Sequence, residues 1–454
     1  MLDPHPLGWR AGLAVDGRLV DYAEDGPGDG EVTDRLFYAR VVRVEPRLAA
    51  AFLDIGGGRT AFLTARDARF LDPRCARRDI RELVREGERL VVMGLREGDD
   101  DKGPRVTADV RLFGLFTILR PRGGESLASG HARGRLRQRL RERAARLFPD
   151  GRVVLRRFAD AVDDGALVAE VRRLETRWRE IEAGLRKARP GPVPFGEDGL
   201  DRLLRRLLEA GAEVVEVADA AVSARVEREL ARLPEAVRPR FTRLRAPLAF
   251  PATGLEEQFE AALQPEVALD GGGRLVIEET RAFVAIDVDG EGRDALELDL
   301  AAAREIARQV RLRNLGGNIL VDFVDLPRPS ARKLLDDALR KGFRDDPAQP
   351  QIHPMSVLGI VHITRARRGR PLSARYREAC TACRGEGRVP SAEAGLLALF
   401  RTLRTTARPV RAVRVGERLA GRLAAVGDPG WLRGIPWRCD PALAPLDFAV
   451  EEAS

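Results

Sequence analysis

The sequence predicts a multidomain α/β protein, and three observations lead to this fold class. The chain has 454 residues, 44% of them hydrophobic, which is enough for several domains of about 100–200 residues with their own cores. Residues 36–113 contain five short apolar strands separated by glycine turns, a pattern typical of a small β-barrel of the OB type. Residues 273–326 have the order strand, strand, long helix, strand, which indicates an α/β unit.

The segments around the predicted barrel follow in chain order. Residues 11–23 are predicted to form a hairpin around Asp16-Gly17, and the Gly/Asp/Pro-rich stretch EDGPGDGE after them is a break. Residues 133–157 hold ten arginines, and RLRQRLRERAARLF within them is predicted to be helical. Residues 167–188 form an amphipathic helix, and PGPVPFGEDG (190–199) is a linker by composition.

The second half of the chain alternates helices and strands. Residues 200–262 combine helices with short apolar strands such as AEVVEVA. The long helix LDLAAAREIARQVRLRNLGG is predicted to end at Gly316-Gly317 as its C-cap. A basic helix (330–344), the strand VLGIVHITRAR and a last helix (391–407) follow, and the remaining tail is weakly patterned.

Composition and charge limit the class of partner. The net charge is +8 and the pI about 9.9, which indicates a polyanionic partner. Only four basic residues are lysines, and arginine suits phosphate because its planar fork makes paired hydrogen bonds, although a GC-rich genome would also favour arginine codons. No long apolar run predicts a membrane span, the N-terminus lacks a signal-peptide pattern, and four cysteines do not make a disulfide scaffold. A cytoplasmic protein is expected.

Carboxylates stand at the ends of two apolar strands. FVAID ends at Asp287, with Asp289 two residues later, and NILVD ends at Asp322. In open α/β sheets, ligands and metals bind outside the carboxyl ends of strands, and two neighbouring carboxylates can hold one Mg²⁺. Mg²⁺ with a bound water is a standard means of attacking a phosphodiester. The alternative is that Asp287 caps a turn and Asp322 pairs with a nearby arginine.

The segment Cys380-Thr-Ala-Cys383-Arg-Gly-Glu-Gly387 has the pattern of a zinc knuckle. A tetrahedral structural site needs four ligands, and Cys75 and Cys439 have no knuckle context. Either histidines complete the site, or a second subunit donates the same pair and zinc joins two subunits. A redox CxxC or two unligated thiols are the alternatives.

The predicted barrel carries candidate RNA-binding residues. Phe52 and Phe62 lie on different strands, and exposed aromatics on an OB barrel stack single-stranded bases while basic residues follow the backbone. Lys102 lies in a loop before a strand. The alternative is that both phenylalanines belong to the core. The basic helix 133–146 is expected to contact phosphate, with a solvated face as its alternative.

Five ordered segments of the chain resemble the bacterial ribonuclease E/G family, nearer the short ribonuclease G type. The likeness extends from about Leu13 to about Pro390. The segments are VVRVEPRLAAAFLDIG, AIDVDG, EIARQVRLRNLGGNILVDFVDL, IHPMSVLGIVHITRAR and CTACRGEG. The resemblance implies a Mg²⁺-dependent endoribonuclease that cleaves single-stranded RNA by attack of a metal-bound water, leaving a 5′-phosphate and a 3′-hydroxyl. It implies roles in RNA processing or decay.

The resemblance also implies a domain organisation. An OB-type RNA-binding module is inserted in an RNase H-like domain, and a DNase I-like catalytic domain and a CxxC zinc link follow. The implied ranges are 1–35 with 200–268 for the split RNase H-like domain, 36–112 for the OB-type module, 113–199 for a 5′-sensor-like region, 269–378 for the DNase I-like domain, 379–389 for the zinc link and 390–454 for a small C-terminal domain.

Site residues follow from the resemblance position by position. The Mg²⁺ aspartates fall on Asp287 and Asp322, with Asp289 assisting, and the zinc ligands shared between subunits fall on Cys380 and Cys383. The RNA-binding residues fall on Phe52, Phe62, Lys102, Gly114 and Arg157. The implied assembly is a homodimer through the zinc link, or a tetramer.

Three positions depart from the family pattern. Asp289 stands where the family has an asparagine that orients the second aspartate, and an ionised carboxylate cannot donate that hydrogen bond. Phe158 stands where a threonine lies beside the sensor arginine, so a hydroxyl donor for a 5′-phosphate is lost. His362 stands where the family usually has glutamate. A catalytically weak RNA-binding paralogue is therefore the alternative function, with another metallophosphodiesterase as a third hypothesis.

Overall fold

The structure is a computed structural model, and it describes most of the chain. The described residues are 1–25, 32–72, 79–98, 103–123, 134–194, 199–290, 294–367, 369–378, 380–381, 383, 387, 389–427 and 429–452. The chain divides into two units, Met1–Tyr376 and Arg377–Ser454. The architecture is mixed α/β with several sheets, as the sequence predicts.

The first sheet of the larger unit joins N-terminal strands to strands from the middle of the chain. Its five strands are β1 (Leu2–His5), β2 (Gly8–Val15), β3 (Arg18–Asp25), β13 (Val214–Val217) and β14 (Arg240–Arg243), in the order β14–β13–β1–β2–β3. Its helices are α5 (Gly199–Glu209), α6 (Ala220–Ala231), α7 (Ala249–Ala252) and α8 (Leu255–Ala261). The predicted hairpin is confirmed: β2 and β3 pair antiparallel, and Asp16 and Gly17 take positive φ in the turn.

Five strands close into the predicted small barrel. They are β4 (Leu36–Glu45), β5 (Ala50–Asp54), β6 (Thr60–Thr64), β7 (Arg89–Arg96) and β8 (Arg105–Thr107). They pair in the order β4–β5–β6–β8–β7, and β7 returns to β4, so the barrel has no open edge. Short helices α1 (Ala65–Ala68) and α2 (Ile80–Leu83) pack on it, and β12 (Gly191–Pro192) pairs with the start of β4. The OB-like barrel is therefore confirmed.

A three-stranded sheet and two helices follow the barrel. The strands are β9 (Leu112–Phe113), β10 (Thr117–Leu119) and β11 (Val153–Leu155), in the order β11–β10–β9. The helices are α3 (Gly134–Leu147) and α4 (Asp164–Leu185), both close to the predicted bounds. Helix α4 begins at the N-cap Asp163, whose carboxylate accepts the Ala166 N–H, and its apolar stripe enters a shared core with α5.

The last sheet of the larger unit carries the aspartate-bearing strands. Its strands are β15 (Glu266–Ala268), β16 (Arg274–Glu279), β17 (Val284–Asp289), β18 (Gly317–Asp322), β19 (Gln351–Ile352) and β20 (Ile360–Arg365), in the order β15–β16–β17–β18–β20–β19. Its helices are α9 (Ala295–Leu312), α10 (Pro329–Gly342) and α11 (Leu372–Tyr376). β17 and β18 are parallel because α9 connects them, and the core between sheet and helices includes Ile286, Val321, Ile306 and Leu335.

The end of α9 corrects one sequence prediction. The helix ends at Leu312, and Asn314, not Gly316-Gly317, takes the left-handed conformation with φ of 51°. The Leu315 N–H then reaches the Val310 carbonyl, which is the six-to-one bond of a Schellman motif. Asparagine tolerates this conformation better than most residues. Of the two predicted glycines, Gly317 begins β18 and Gly316 precedes it.

The smaller unit, Arg377–Ser454, has its own core. It contains α12 (Ala392–Thr405), β21 (Val410–Val415), α13 (Glu417–Val426), β22 (Trp437–Cys439) and β23 (Phe448–Glu452). The strands pair in the order β22–β21–β23, and Leu399, Val413 and Leu423 are fully buried between sheet and helices. The weakly patterned tail is thus a folded part of this unit. Within the described ranges, no helix is long and apolar enough to cross a membrane.

The described residues also include four short 3₁₀ helices. They span Pro46–Leu48, Arg69–Leu71, Arg157–Ala161 and Glu235–Val237.

Candidate functional site

Asp287 and Asp322 are direct neighbours across two parallel strands. The register of β17 and β18 pairs Asp287 with Asp322, just as it pairs Ile286 with Val321. Paired residues of parallel strands point to the same face, and adjacent strands lie roughly 4.8 Å apart. The structure therefore brings the two predicted carboxylates side by side. Asp287 lies within a strand, so the alternative that it caps a turn is wrong.

The carboxylates face solvent because their neighbours face the core. Val288 and Phe323, which follow Asp287 and Asp322, are 6% and 5% exposed, whereas both aspartates are exposed. Helices α9 and α10 cover only the apolar side of the sheet, so the opposite side carries the polar residues. Among the residues that the structure describes, no arginine forms an ion pair with Asp322, so this part of the chain does not favour the other structural alternative.

The donor set at this pair suits a hard divalent cation. Two carboxylates in register offer oxygen ligands, and Mg²⁺ is commonly bound by one or two carboxylates while it keeps several waters. In the described part of the chain, no group of three or more His, Cys, Asp or Glu side chains converges on a metal position.

Asp289 is held by an arginine of the neighbouring strand. Its Oδ2 lies 2.8 Å from Nη2 of Arg274 and also accepts a hydrogen bond from Nε at 3.0 Å. Both side chains are about half exposed, so the pair contributes less than about 1 kcal/mol to stability. The ion pair nevertheless balances the charge that Asp289 adds two residues beyond Asp287.

His362 lies on the same polar side of the sheet. It pairs in register with Leu320 of β18, two residues before Asp322. Its Nε2 lies 3.1 Å from Oδ1 of Asn318, and its ring stacks on His353 with 4.9 Å between centroids. Two of the four histidines of the chain thus stack on one another, and His362 contacts β18 at Asn318, four residues before Asp322.

A buried acid, Asp299 of α9, lies behind this site and was missed by sequence reasoning. It is 0% exposed, and its Oδ1 accepts the Val324 N–H at 3.2 Å, two residues after Asp322. Its Oδ2 has no hydrogen-bond partner among the described atoms, and burial raises the pKa of the carboxyl from its ordinary value of 3.8 to about 7. The available signal was its place on the buried face of α9, at the spacing of Ala302, Ala303 and Ile306.

Phe52 and Phe62 form an aromatic pair on the outside of the barrel. They are register partners on β5 and β6, and their ring centroids are 5.5 Å apart at 64°. Their strand neighbours, such as Leu53 and Leu63, fill the barrel core, whereas the two phenylalanines are only half-buried. The alternative that they are core residues is therefore wrong.

Two arginines extend the aromatic pair into a row. Arg43 of β4 is the register partner of Phe52, and Arg105 of β8 is the register partner of Phe62. The four side chains span four neighbouring strands of the barrel. Each arginine also pairs with an acid, Arg43 with Glu45 at 2.5 Å and Arg105 with Asp67 at 2.7 Å. We call this row the aromatic strip. Lys102 lies outside the described residues.

Gly114 is surrounded by charged side chains, but Arg157 is not one of them. A Cβ at Gly114 would lie 2.5 Å from the Glu170 carboxyl carbon, so only glycine fits. Glu170 accepts the N–H groups of Leu115 and Phe116, and the buried Arg156 donates to the Gly114 carbonyl. The sequence prediction did not include Arg156, because residue type alone does not distinguish it from the adjacent Arg157.

Arg157, by contrast, lies at the surface. The residue is exposed, and its guanidinium lies 5.2 Å from the ring centroid of Phe158. The structure therefore brings Gly114 together with Arg156 and leaves Arg157 available to solvent-borne groups.

The arginines of α3 are partly engaged within their own region. Arg139 pairs with Asp160 at 2.6 Å, and Arg143 and Arg146 both pair with Asp164, at 2.6 and 2.8 Å. Part of this basic helix therefore anchors the turn before α4.

Cys380 and Cys383 lie at the start of the smaller unit, before α12. The three described cysteines, Cys380, Cys383 and Cys439, form no disulfide. Gly387 takes a positive φ of 69°, a conformation that glycine adopts readily. The pair supplies two sulfur ligands, which is half of a tetrahedral zinc site.

A family model and several known proteins match this chain in sequence. A family model described as "Ribonuclease E/G family" matches residues 112–368. Ribonuclease E of Haemophilus influenzae is 31% identical over 412 residues, 86% of this chain and 44% of that protein. Ribonuclease E of Escherichia coli K12 is 31% identical, with 86% and 38% covered. Ribonuclease G of Escherichia coli K12 is 28% identical over 384 residues, 80% of this chain and 78% of that protein. The matched region thus spans less than half the length of these two ribonuclease E proteins.

The buried acid gives a pH-dependent prediction. Because the folded-state pKa of Asp299 is about 7 and the ordinary value is 3.8, the carboxyl holds a proton in the folded state that the unfolded state has lost. Stability therefore falls as pH rises through this window, and Asp299→Asn removes the fall because the amide stays neutral. We therefore compare the free energy of unfolding of Asp299→Asn with that of the native chain at each pH. From pH 5 to pH 8, this difference should change by roughly 2–3 kcal/mol in favour of the variant.

Denaturant unfolding at the two pH values measures this change. The exposed Asp337→Asn on α10 is the matched control and should show no such gain. Equal pH dependence in the native chain and Asp299→Asn would contradict the assignment of a buried neutral carboxyl.

Proposed function

Because this chain belongs to the Ribonuclease E/G family, we propose that it is an endoribonuclease that cleaves single-stranded RNA. The proposed reaction depends on Mg²⁺ and leaves a 5′-phosphate and a 3′-hydroxyl, in RNA processing or decay. The observation that carries the proposal is the in-register pair of exposed carboxylates, Asp287 and Asp322, on the polar side of a sheet. Ribonuclease E and ribonuclease G are the names of the relatives that support it.

The proposed chemistry assigns distinct tasks to the residues of the sheet. Asp287 and Asp322 would hold Mg²⁺, which supplies Lewis-acid catalysis and activation of water when bound. β17 and β18 fix the spacing of the two carboxylates, because their backbones are hydrogen-bonded and their other side is packed on α9 and α10. Asp289 acts as a positioning residue: its ion pair with Arg274 keeps a guanidinium beside the pair, where a phosphate would lie.

RNA binding is proposed for two regions outside that sheet. The aromatic strip offers two ring faces for bases and two arginines for backbone phosphates, the combination typical of single-strand binding. Lys102 is proposed to add a further positive charge to the barrel. Near Gly114, Arg157 is proposed to meet the 5′ end of the RNA, since Arg156 is already engaged with Gly114. Because Phe158 has no hydroxyl, we expect little preference for a 5′-monophosphate.

We propose that the two α/β sheets of the larger unit are the domains implied by the family resemblance. The sheet of β1–β3 with β13 and β14 would be the split RNase H-like domain. The sheet of β15–β20 would be the DNase I-like catalytic domain, and the smaller unit would be the zinc link with the C-terminal domain.

Zinc is proposed to join two copies of the chain. Cys380 and Cys383 supply two thiolates, and a second copy would supply two more to complete four sulfur ligands. The proposed assembly is a homodimer through this link.

Cleavage of an AU-rich single-stranded RNA with Mg²⁺ tests the central proposal. Asp287→Asn and Asp322→Asn should each lower the cleavage rate by about 10²–10³-fold, because each removes one charged oxygen ligand from the metal. Asp289→Asn should have a smaller effect, and Asp336→Asn on the opposite side of the same unit is the control. RNA binding without cleavage by the native chain would overturn the nuclease proposal and favour the RNA-binding paralogue.

The aromatic strip is tested by RNA affinity. Phe52→Ala and Phe62→Ala should each weaken binding of single-stranded RNA by about 1–3 kcal/mol, the usual value of one base–aromatic stack. The matched control is Phe400→Ala, since Phe400 is also a half-buried member of an aromatic pair, with Trp431 in the smaller unit. Fluorescence anisotropy with Asp322→Asn as background separates binding from cleavage, and unchanged affinity in both variants would exclude the strip.

The zinc link is tested by mass in solution. Cys380→Ser with Cys383→Ser should convert the oligomer into smaller species by multi-angle light scattering, and bound zinc should fall in parallel by elemental analysis. Cys439→Ser is the control, because it removes an exposed cysteine of the same unit. If the variant loses zinc but keeps the native mass, zinc binds within one chain and does not join two copies.

A further inference from the structure

An arginine-lined cavity lies where the barrel, the three-stranded sheet and helix α5 meet. Its volume is about 260 Å³. The arginines that line it are Arg35, Arg111, Arg177, Arg202 and Arg205. Among the described residues, the only acid in the lining is Asp34. We call this feature the arginine cavity.

Two of the arginines are held from behind by one carboxylate. Asp25, 8% exposed at the end of β3, accepts hydrogen bonds from Arg35 at 2.5 Å and from Arg202 at 2.7 Å. One negative charge therefore orients two positive charges. The side chains of Arg35 and Arg202 are only 17% and 26% exposed. Their ion pairs with Asp25 therefore hold both guanidinium groups in place.

The same arrangement occurs at the next wall of the cavity. Glu209 at the end of α5 pairs with Arg205 at 3.3 Å and also accepts a hydrogen bond from Arg156. The guanidinium of Arg205 lies 4.3 Å from the ring centroid of Phe113, which also lines the cavity. This stacking restricts Arg205 to one orientation.

A third carboxylate repeats the pattern. Asp109, 5% exposed, lies 3.0 Å from Arg111 in the cavity and 3.0 Å from Arg120 outside it. Three carboxylates thus each hold two arginines, and each pairing places at least one guanidinium in the wall of the cavity.

The guanidinium groups on this concave surface repel one another, and a bound anion would offset that repulsion. Guanidinium groups match phosphate through paired, charge-assisted hydrogen bonds. We propose that the arginine cavity is a binding site for phosphate groups, either backbone phosphates of RNA or those of a free polyphosphate. The site is separate from the carboxylate pair, and its lining includes neither Gly114 nor Arg157. The proposal does not rest on the proposed nuclease activity.

Because each carboxylate holds two arginines, one arginine of a pair can be replaced while the carboxylate keeps the other. In Arg111→Gln with Arg205→Gln, Asp109 keeps Arg120 and Glu209 keeps Arg156. Binding of pyrophosphate to the full chain, by calorimetry without added divalent metal, should weaken about 10- to 100-fold in this double variant. The control is Arg81→Gln with Arg232→Gln, two exposed arginines with their own acidic partners, and it should bind as the native chain does.

Affinity for a single-stranded RNA, measured over a range of salt, distinguishes the two sources of phosphate. If RNA occupies the cavity, the double variant binds RNA more weakly, and the salt dependence of binding falls by about 0.7 for each lost phosphate contact. If a free polyphosphate occupies it, pyrophosphate binding falls and RNA affinity stays at the native value. Equal affinities of the native chain and the double variant for both probes would overturn the proposal.

Thermal unfolding of the double variant checks that the fold is intact. Should it unfold, Arg111→Gln alone decides by the same criteria, because the Arg111 side chain is 45% exposed and its loss disturbs little packing. None of these measurements uses cleavage, so they test the arginine cavity whether or not the chain is a nuclease.

Discussion

The parallel pairing of β17 with β18 is the constraint on which the candidate site depends. Each strand buries alternate apolar residues against α9 and α10, and each such side chain contributes about 1.5–3 kcal/mol when fully buried. A slip of one residue would turn Asp287 or Asp322 toward the helices and expose the core residues instead. The same burial that stabilises the sheet therefore aims both carboxylates at one point on its polar side.

In the rest of the larger unit, ion pairs orient charged side chains, as burial orients the two carboxylates. The chain is strongly basic, yet many arginines are directed by nearby acids rather than dispersed on the surface. Arg365 is the clearest case: it is 4% exposed and reaches Asp346 at 2.7 Å and the Leu315 carbonyl at 2.6 Å. It thereby joins the end of β20 to the loop after α9. Elsewhere, single carboxylates orient two arginines and create local positive charge.

Two of the three departures from the family pattern, Asp289 and His362, have structural counterparts in the sheet that carries the carboxylate pair. Asp289 is balanced by Arg274, so the extra acid does not stand as an isolated third charge beside Asp287. His362 is held by Asn318 and stacked on His353, which gives the end of this sheet an imidazole pair. Each replacement is thus accompanied by a contact that accommodates it, and the strands themselves keep their register.

Local pattern in the sequence determined the elements and the chemistry they carry. Alternation and turn residues predicted the hairpin and the barrel, and the segments FVAID and NILVD, with Asp287 and Asp322, pointed to a shared site. Only the tertiary structure decided relations between distant segments. It chose Asn314 as the helix cap, brought Arg156 rather than Arg157 to Gly114, and buried Asp299 behind β18. The physical reason is that charge pairing and burial depend on which segments meet. A sequence pattern reports the face a residue prefers, whereas its partner across the sheet or cavity is set by the packing of the whole unit.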